Sequence, residues 1–230
     1  DNSVIVSCTQ DDSKVFIQRI SYEGLMLWEN GILLEHDNNS MISPQSVKYS
    51  DNSFLIQWIG QAPGWPIYSE IYLQKYSLNG EPIWIEPSTL VESTIFPMGN
   101  WAQQLVVKQG YGSFSAWTQF LGNAQNAVSQ LVSEEGYLIW ENEIDFSTNS
   151  NNFRMSPKVI VSEESQDLIA VWKETNGGQS QRGIVAQRLN ESGTWLWNSD
   201  GVNIVELNSD YDYLDLSLVG FEEEAAAVYI

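Results

Sequence analysis

An all-β fold built from repeated four-stranded antiparallel sheets is predicted by three observations. First, three residue series keep step along the 230-residue chain: glycines at 24, 80, 136 and 193, glutamines at 18, 74, 130 and 187, and tryptophans at 28, 84, 140 and 197, a period of about 56 residues. Self-similarity at a fixed period marks a repeat architecture. Second, no segment holds a 3.6-residue apolar period for three turns, so no helix is expected. Third, each repeat consists of short runs rich in Val, Ile, Leu, Tyr and Trp, divided by polar turns, which suits a pleated surface.

The best-marked element recurs as Phe16 to Trp28, Tyr72 to Trp84, Val128 to Trp140 and Val185 to Trp197. Each copy reads as a β-hairpin. Its turn is Ser21 to Gly24, Ser77 to Gly80, Ser133 to Gly136 or Asn190 to Gly193: a short polar residue opens a type I turn, and the glycine accepts the positive φ that closes it. That glycine needs no ligand to explain it.

The chain opens with an apolar strand, Ser3 to Thr9, and a polar turn, Gln10 to Ser13, before the first hairpin. Residues 29–43 read as polar and irregular. They carry the only histidine, His36, which without a second His or Cys nearby makes no zinc site. Two further strands follow, Pro44 to Tyr49 and Phe54 to Trp58. This pair returns at Leu105 to Lys108 with Phe114 to Trp117, at Lys158 to Val161 with Leu168 to Trp172, and at Leu214 to Val219 with Ala225 to Tyr229. One repeat therefore holds four strands, labelled a to d from Pro44 onward.

Four antiparallel strands at this period are the signature of a β-propeller blade. The expected fold is a β-propeller of at least four blades, with strand a nearest the axis. A single domain spans 1–230, its repeats covering about 1–42, 43–100, 101–155 and 156–212 with a partial copy at 213–230. Closing four blades would leave one b strand over, so the chain is expected to be part of a larger ring. Stacked blades bury both faces, which accounts for the nearly continuous apolar character of b and c. The four glutamines then lie in a buried strand, and a buried amide must find partners. Backbone or a neighbouring blade is expected to supply them; a ring of glutamines around a ligand is the alternative.

Composition narrows the function. Ten basic against thirty acidic residues give a net charge of −20, which repels nucleic acid and anionic lipid. No run of 18 apolar residues offers a membrane span, and no signal peptide is recognisable, so one is absent or already removed. Cys8 stands alone and is expected to be a small buried hydrophobe. Chemistry-bearing motifs are missing: no nucleophile elbow, phosphate loop or His-Glu-x-x-His. No catalytic residue, metal or cofactor is therefore expected, and Asp210 to Asp215 reads as a solvated loop without the Gly and Glu of an EF-hand. Carboxylate pairs of glycosidases come from distant loops, and thirty acids single out none.

Two stretches break the repeat. Gly60 to Ser69 is a Pro/Gly-rich insertion presenting Trp65 and Tyr68, and Ile95 to Trp101 is an aromatic excursion with Phe96 and Trp101. Loop aromatics are candidate anchors for a partner or a sugar ring; packing over the blade edges is the other reading.

The pattern Gln-Arg-x-x-x-x-Gly-x-x-Leu-Trp, as in Gln18 to Trp28, resembles the repeats of β-propellers exported by bacteria with a type 9 secretion system. The third copy departs from it, with Leu131 in the basic position. The resemblance implies an exported protein of the periplasm or cell surface, either cargo or an accessory of an outer-membrane translocon. A weaker likeness links Asn190 to Trp195 to the Asp-box of sialidase propellers. It keeps Gly193, Thr194 and Trp195 but lacks the Asp, and only Arg19, Arg154, Arg182 and Arg188 are present against the arginine cluster such enzymes require.

The function expected on these grounds is a non-catalytic protein–protein interaction module, a plug-like or scaffold accessory docking on a secretion complex through Trp65, Tyr68, Phe96 and Trp101. The alternative is a carbohydrate-binding or carbohydrate-active propeller, favoured by ten Trp and the surplus of acids. Seven of those tryptophans (28, 84, 140, 197, 58, 117 and 172) are, however, accounted for by the repeat.

Overall fold

Apolar runs that alternate with polar turns become strands in every repeat. The computed structural model describes residues 2–64, 68–91, 98–210, 215–221 and 224–229, and regular structure within them is β. The first sheet orders β1 (Val4–Gln10), β2 (Lys14–Ile20) and β3 (Ile32–Leu34). The second holds β4 (Ser40–Ser50), β5 (Ser53–Gln61), β6 (Ser69–Ser77) and β7 (Ser88–Val91). β8 (Met98–Lys108), β9 (Gly112–Leu121), β10 (Ala124–Ser133) and β11 (Ile144–Asp145) form the third. The fourth is β12 (Asn152–Val161), β13 (Leu168–Asn176), β14 (Arg182–Leu189) and β15 (Val202–Asn208), and the fifth is the pair β16 (Leu216–Phe221) and β17 (Glu224–Tyr229). Sequential strands pair antiparallel, so the second to fourth sheets run a-b-c-d as the repeat predicts.

The chain divides into two compact units, residues 1–99 with 135–137, and residues 100–134 with 138–230. In the first, Val15 and Ile17 of β2 pack on Phe54, Ile56 and Trp58 of the second sheet. In the second, Phe114, Leu131 and Phe146 meet Leu168, Trp172 and Val185 of the fourth sheet, whose other face carries Val171 and Ile184 against Leu216 of the fifth. Strands b and c of the fourth sheet are thus covered on both sides. β5 and β9 are buried over most of their length.

The hairpins differ from expectation in their return arm. Each turn closes as predicted, with Gly24, Gly80, Gly136 and Gly193 at φ of 84°, 88°, 91° and 76°. The arm after it is a single bridge, such as Tyr76 to Pro82, and strand d begins only after the tryptophan. The glutamine explains this. In β10, Gln130 Oε1 accepts from the Leu131 N–H at 2.9 Å and its Nε2 donates to the Trp140 carbonyl at 3.2 Å. Gln18 makes the same two bonds and also accepts from the Trp28 N–H. The amide thus replaces the missing ladder bonds inside its own sheet, which leaves no ring of glutamines free for a ligand. Gln130→Ala is expected to lower the unfolding free energy by about 1–3 kcal/mol, the cost of orphaned buried backbone groups. Urea denaturation within about 0.5 kcal/mol of the parent, the range of an inert surface change, would count against this role.

Three other readings are corrected. Residues 29–43 are not irregular throughout, since β3 lies within them and β4 starts at Ser40. Strand a begins before Pro44 because a bulge absorbs the proline: Ser43 and its counterpart Ser156 take φ of 54°, and their N–H groups donate to Thr9 and Thr118 of the preceding sheet. Cys8 is exposed, as are Val4 and Val6, because these alternate residues share the face of β1 opposite to Ile5, which packs against the core.

A lock between neighbouring sheets recurs. The Trp28 indole N–H donates to the Leu78 carbonyl in the next sheet's turn at 3.2 Å, and that of Trp140 to the Glu191 carbonyl at 2.9 Å. The turn glycine lies under the same ring. A Cβ on Gly136 would come within 2.7 Å of Trp84, and one on Gly193 within 3.3 Å of Trp140. The glycine therefore has two physical reasons to be there, its φ and the ring above it.

Candidate functional site

Polar side chains of the third and fourth sheets converge where the b and d strands end and the next a strand begins. Gln119 of β9 stands opposite Asn126 of β10, and Arg154 of β12 opposite Glu174 of β13. The segment from Glu143 to Asn152 links the two sheets and lies beside both pairs. Arg154 is 3 % exposed. Its guanidinium donates to the Ser147 carbonyl, to Asn126 Oδ1 at 2.6 Å and to Asp145 Oδ2 at 3.1 Å, while its Nε is buried without a partner among the described residues. Such a buried cation holds its place only through these acceptors.

Asp145 is the titratable group that this arrangement perturbs. Its side chain is 30 % exposed and therefore reachable from solvent. Burial pushes its carboxyl up to about 6, and the charge of Glu143 adds to the rise; Arg154 and the N–H groups of Ser147 and Phe146 pull the other way without cancelling it. The backbone around it is fixed, since the Trp195 indole donates to the Asp145 carbonyl at 2.9 Å. Glu143 accepts from Gln119 Nε2 at 2.6 Å. Glu174, buried, accepts from the Trp172 indole and from Asn149 and Asn152, which ties the loop to β13. A mostly buried carboxyl still reachable from solvent, its proton affinity raised to about 6, with a second carboxylate nearby, is the equipment of acid–base chemistry.

The residues singled out in the sequence fall elsewhere. Trp65 and Phe96 lie outside the described residues, as do positions 211–214 of the acidic Asp210 to Asp215 run. Tyr68 is half-buried, and its carbonyl takes the Ala62 N–H across the b–c loop of the second sheet. Trp101 is not at a loop tip: it belongs to β8, 37 % exposed, with its ring 6.0 Å from that of Phe120. Tyr68 belongs to the first unit and Trp101 to the second. Asp145, Glu143 and Arg154 were not nominated from sequence. The available signal was that Arg154 and the 143–152 loop fall outside the recurring series.

No family model matches the chain, and no curated protein matches it. Thirteen chains of known structure do. One is an endo-arabinase from Bacteroides thetaiotaomicron VPI-5482, 10 % identical, with a TM-score of 0.57 over 99 % of this chain and 84 % of that one. A likeness at this identity establishes a shared all-β, propeller-like fold. It also corrects the expectation of a non-enzymatic docking module: this structural neighbour is a carbohydrate-active enzyme, so the alternative reading is the one the comparison backs.

Proposed function

We propose that this chain is a carbohydrate-active propeller whose sheets are its blades, acting on a polysaccharide at the end where Asp145 lies. The observation that carries the proposal is the perturbed carboxyl of Asp145, mostly buried yet reachable from solvent and raised to about 6, in a fold that a polysaccharide-cleaving enzyme shares along 99 % of this chain. Asp145 serves as the proton donor to the leaving glycosidic oxygen, and Glu143 as the second carboxylate that glycoside hydrolysis calls for. Arg154 and Asn126 position Asp145 and do not touch the substrate. The large acidic surplus suits a neutral glycan better than a sulfated or uronic one, because like charges repel.

Reducing-sugar release is the test, measured on arabinan, xylan, galactan and glucans, together with retardation in gels containing each polymer. Cleavage of at least one neutral polymer is expected, fastest below about pH 6 and declining above it as Asp145 loses its proton. Neither cleavage nor retardation on any polymer would sink the reading.

A further inference from the structure

We infer that the third and fourth sheets carry a second carbohydrate-binding site, an open cleft at the end away from Asp145 that holds a neutral polysaccharide chain. The cleft, about 500 Å³, lies where the a–b loops of both sheets meet the c–d turn of the fourth, and Lys108, Tyr111, Ile139, Asp167, Glu191 and Ser192 face it. All six belong to one compact unit. From Arg154 to Ser162 the chain runs most of the length of β12, so at 3.3 Å per residue roughly 25 Å separates this end from the candidate site.

A departure from the repeat builds the cleft. Strands a and b are joined by residues 51–52 in the second sheet and 109–111 in the third, but by 162–167 in the fourth. The longer loop is held at several points. Gln166, at φ 58°, donates through Nε2 to the Ser162 and Glu163 carbonyls, and Asp167 Oδ2 takes Arg188 Nε at 2.8 Å and Nη2 at 2.6 Å. The Gln166 carbonyl reaches back to Lys108 Nζ at 2.9 Å. There the Lys108 side chain is 6 % exposed, whereas Lys48, in the corresponding place of the second sheet, is 72 % exposed and pairs with Asp51. The loop turns a solvated surface lysine into the fixed cation of a cleft.

The groups around it suit hydroxyls better than a charged ligand. Glu191 Oε2 lies 3.4 Å from Lys108 Nζ, and Arg188 offsets Asp167, so the charges cancel locally. The ammonium has three N–H donors, with Gln166 and Glu191 as its acceptors among the described residues, and Asp167 spends one oxygen on both bonds to Arg188. A sugar hydroxyl both donates and accepts, so it can bridge the ammonium and a carboxylate oxygen. Burial, and Glu191 beside it, push the Tyr111 hydroxyl up, which keeps it a donor. The Tyr111 ring and Ile139, 39 % exposed, give apolar surface for the C–H face of a sugar ring. Because the cleft is open, a chain can pass across it, and a second hold on one polymer raises its effective concentration at the first. The inference goes beyond the proposed cleavage and rests on the cleft alone.

Hydrogen–deuterium exchange on the full chain tests it, using Asp145→Asn to keep the ligands intact and oligomers of arabinan, xylan, galactan and glucan as probes. At least one neutral oligomer is expected to slow exchange at residues 162–167 and 190–193. Glu191→Ala in the same background should raise the concentration that gives half of this protection at least about tenfold, the loss of a hydrogen bond to a charged group. Ser192→Trp, which fills the cleft from its exposed rim, should do the same and decides the matter by itself should Glu191→Ala fail to fold. Protection confined to residues 143–152 would overturn this site and leave the proposed cleavage standing. Protection at 162–167 and 190–193 from a polymer that the parent does not cleave would support the site and count against the cleavage. Protection by oligogalacturonate and by no neutral oligomer, none from any oligomer, or protection that both variants retain would each overturn the inference.

Discussion

Trp140→Ala is expected to lower the unfolding free energy by about 3–5 kcal/mol, the range for removing a large aromatic from a packed core. Trp140 is 6 % exposed, lies 5.9 Å from Phe114 between ring centroids, covers Gly193 of the neighbouring turn and donates to the Glu191 carbonyl. Alanine would remove that ring, open a cavity between the third and fourth sheets and leave the carbonyl without its indole donor. Trp197→Ala, at the equivalent place in the repeat, should change stability by less than about 1 kcal/mol, because that ring is 38 % exposed. Chemical denaturation of the two variants side by side is the check. Equal losses would show that the tryptophan acts within its own sheet and not through the next one.

Asp145→Asn should reduce polysaccharide cleavage by about 10²–10⁴-fold at pH 5 with little change in KM, the effect of removing a general acid while keeping its shape. The same variant tests the titration. The carboxyl is raised in the folded protein, to about 6 from 3.8, so the fold prefers the protonated form. Its contribution to stability is therefore fully present below about pH 3.8 and is lost as pH rises through about 6. Asparagine carries no such proton. Thermal melting across this window should show the parent losing ground to Asp145→Asn between those two values, a trend opposite to that of a carboxylate stabilised in its charged form. A parent that instead gains on the variant as pH rises would place the folded carboxyl below its ordinary value and remove the acid from the proposed mechanism.

Much of the architecture was legible because a repeat states its conformational needs several times over. Gly24, Gly80, Gly136 and Gly193 demand the same positive φ, and the apolar runs of β5, β9 and β13 can be buried on both faces only if sheets stack. Local chemistry and period sufficed for the turn, the antiparallel order and the buried b and c strands. Strand d was misplaced because a buried glutamine side chain, and not a ladder, carries the chain through Trp28 and Trp140. Periodicity cannot distinguish those two ways of satisfying the same backbone groups. Cys8 read as core because it follows the apolar run Val4 to Val6; which face of β1 meets the core became visible only with the sheets assembled.

The candidate site was decided by tertiary structure alone. Asp145 and Glu143 are two acids among thirty, in a segment that the repeat leaves unmarked. What separates them from the rest is the company they keep: Arg154 at the start of β12, Asn126 at the start of β10, Gln119 near the end of β9 and the Trp195 indole from a turn 50 residues away. A carboxyl's affinity for its proton follows from burial and from nearby charge. Both are set by which strand ends meet, and that is a property of how neighbouring sheets stack.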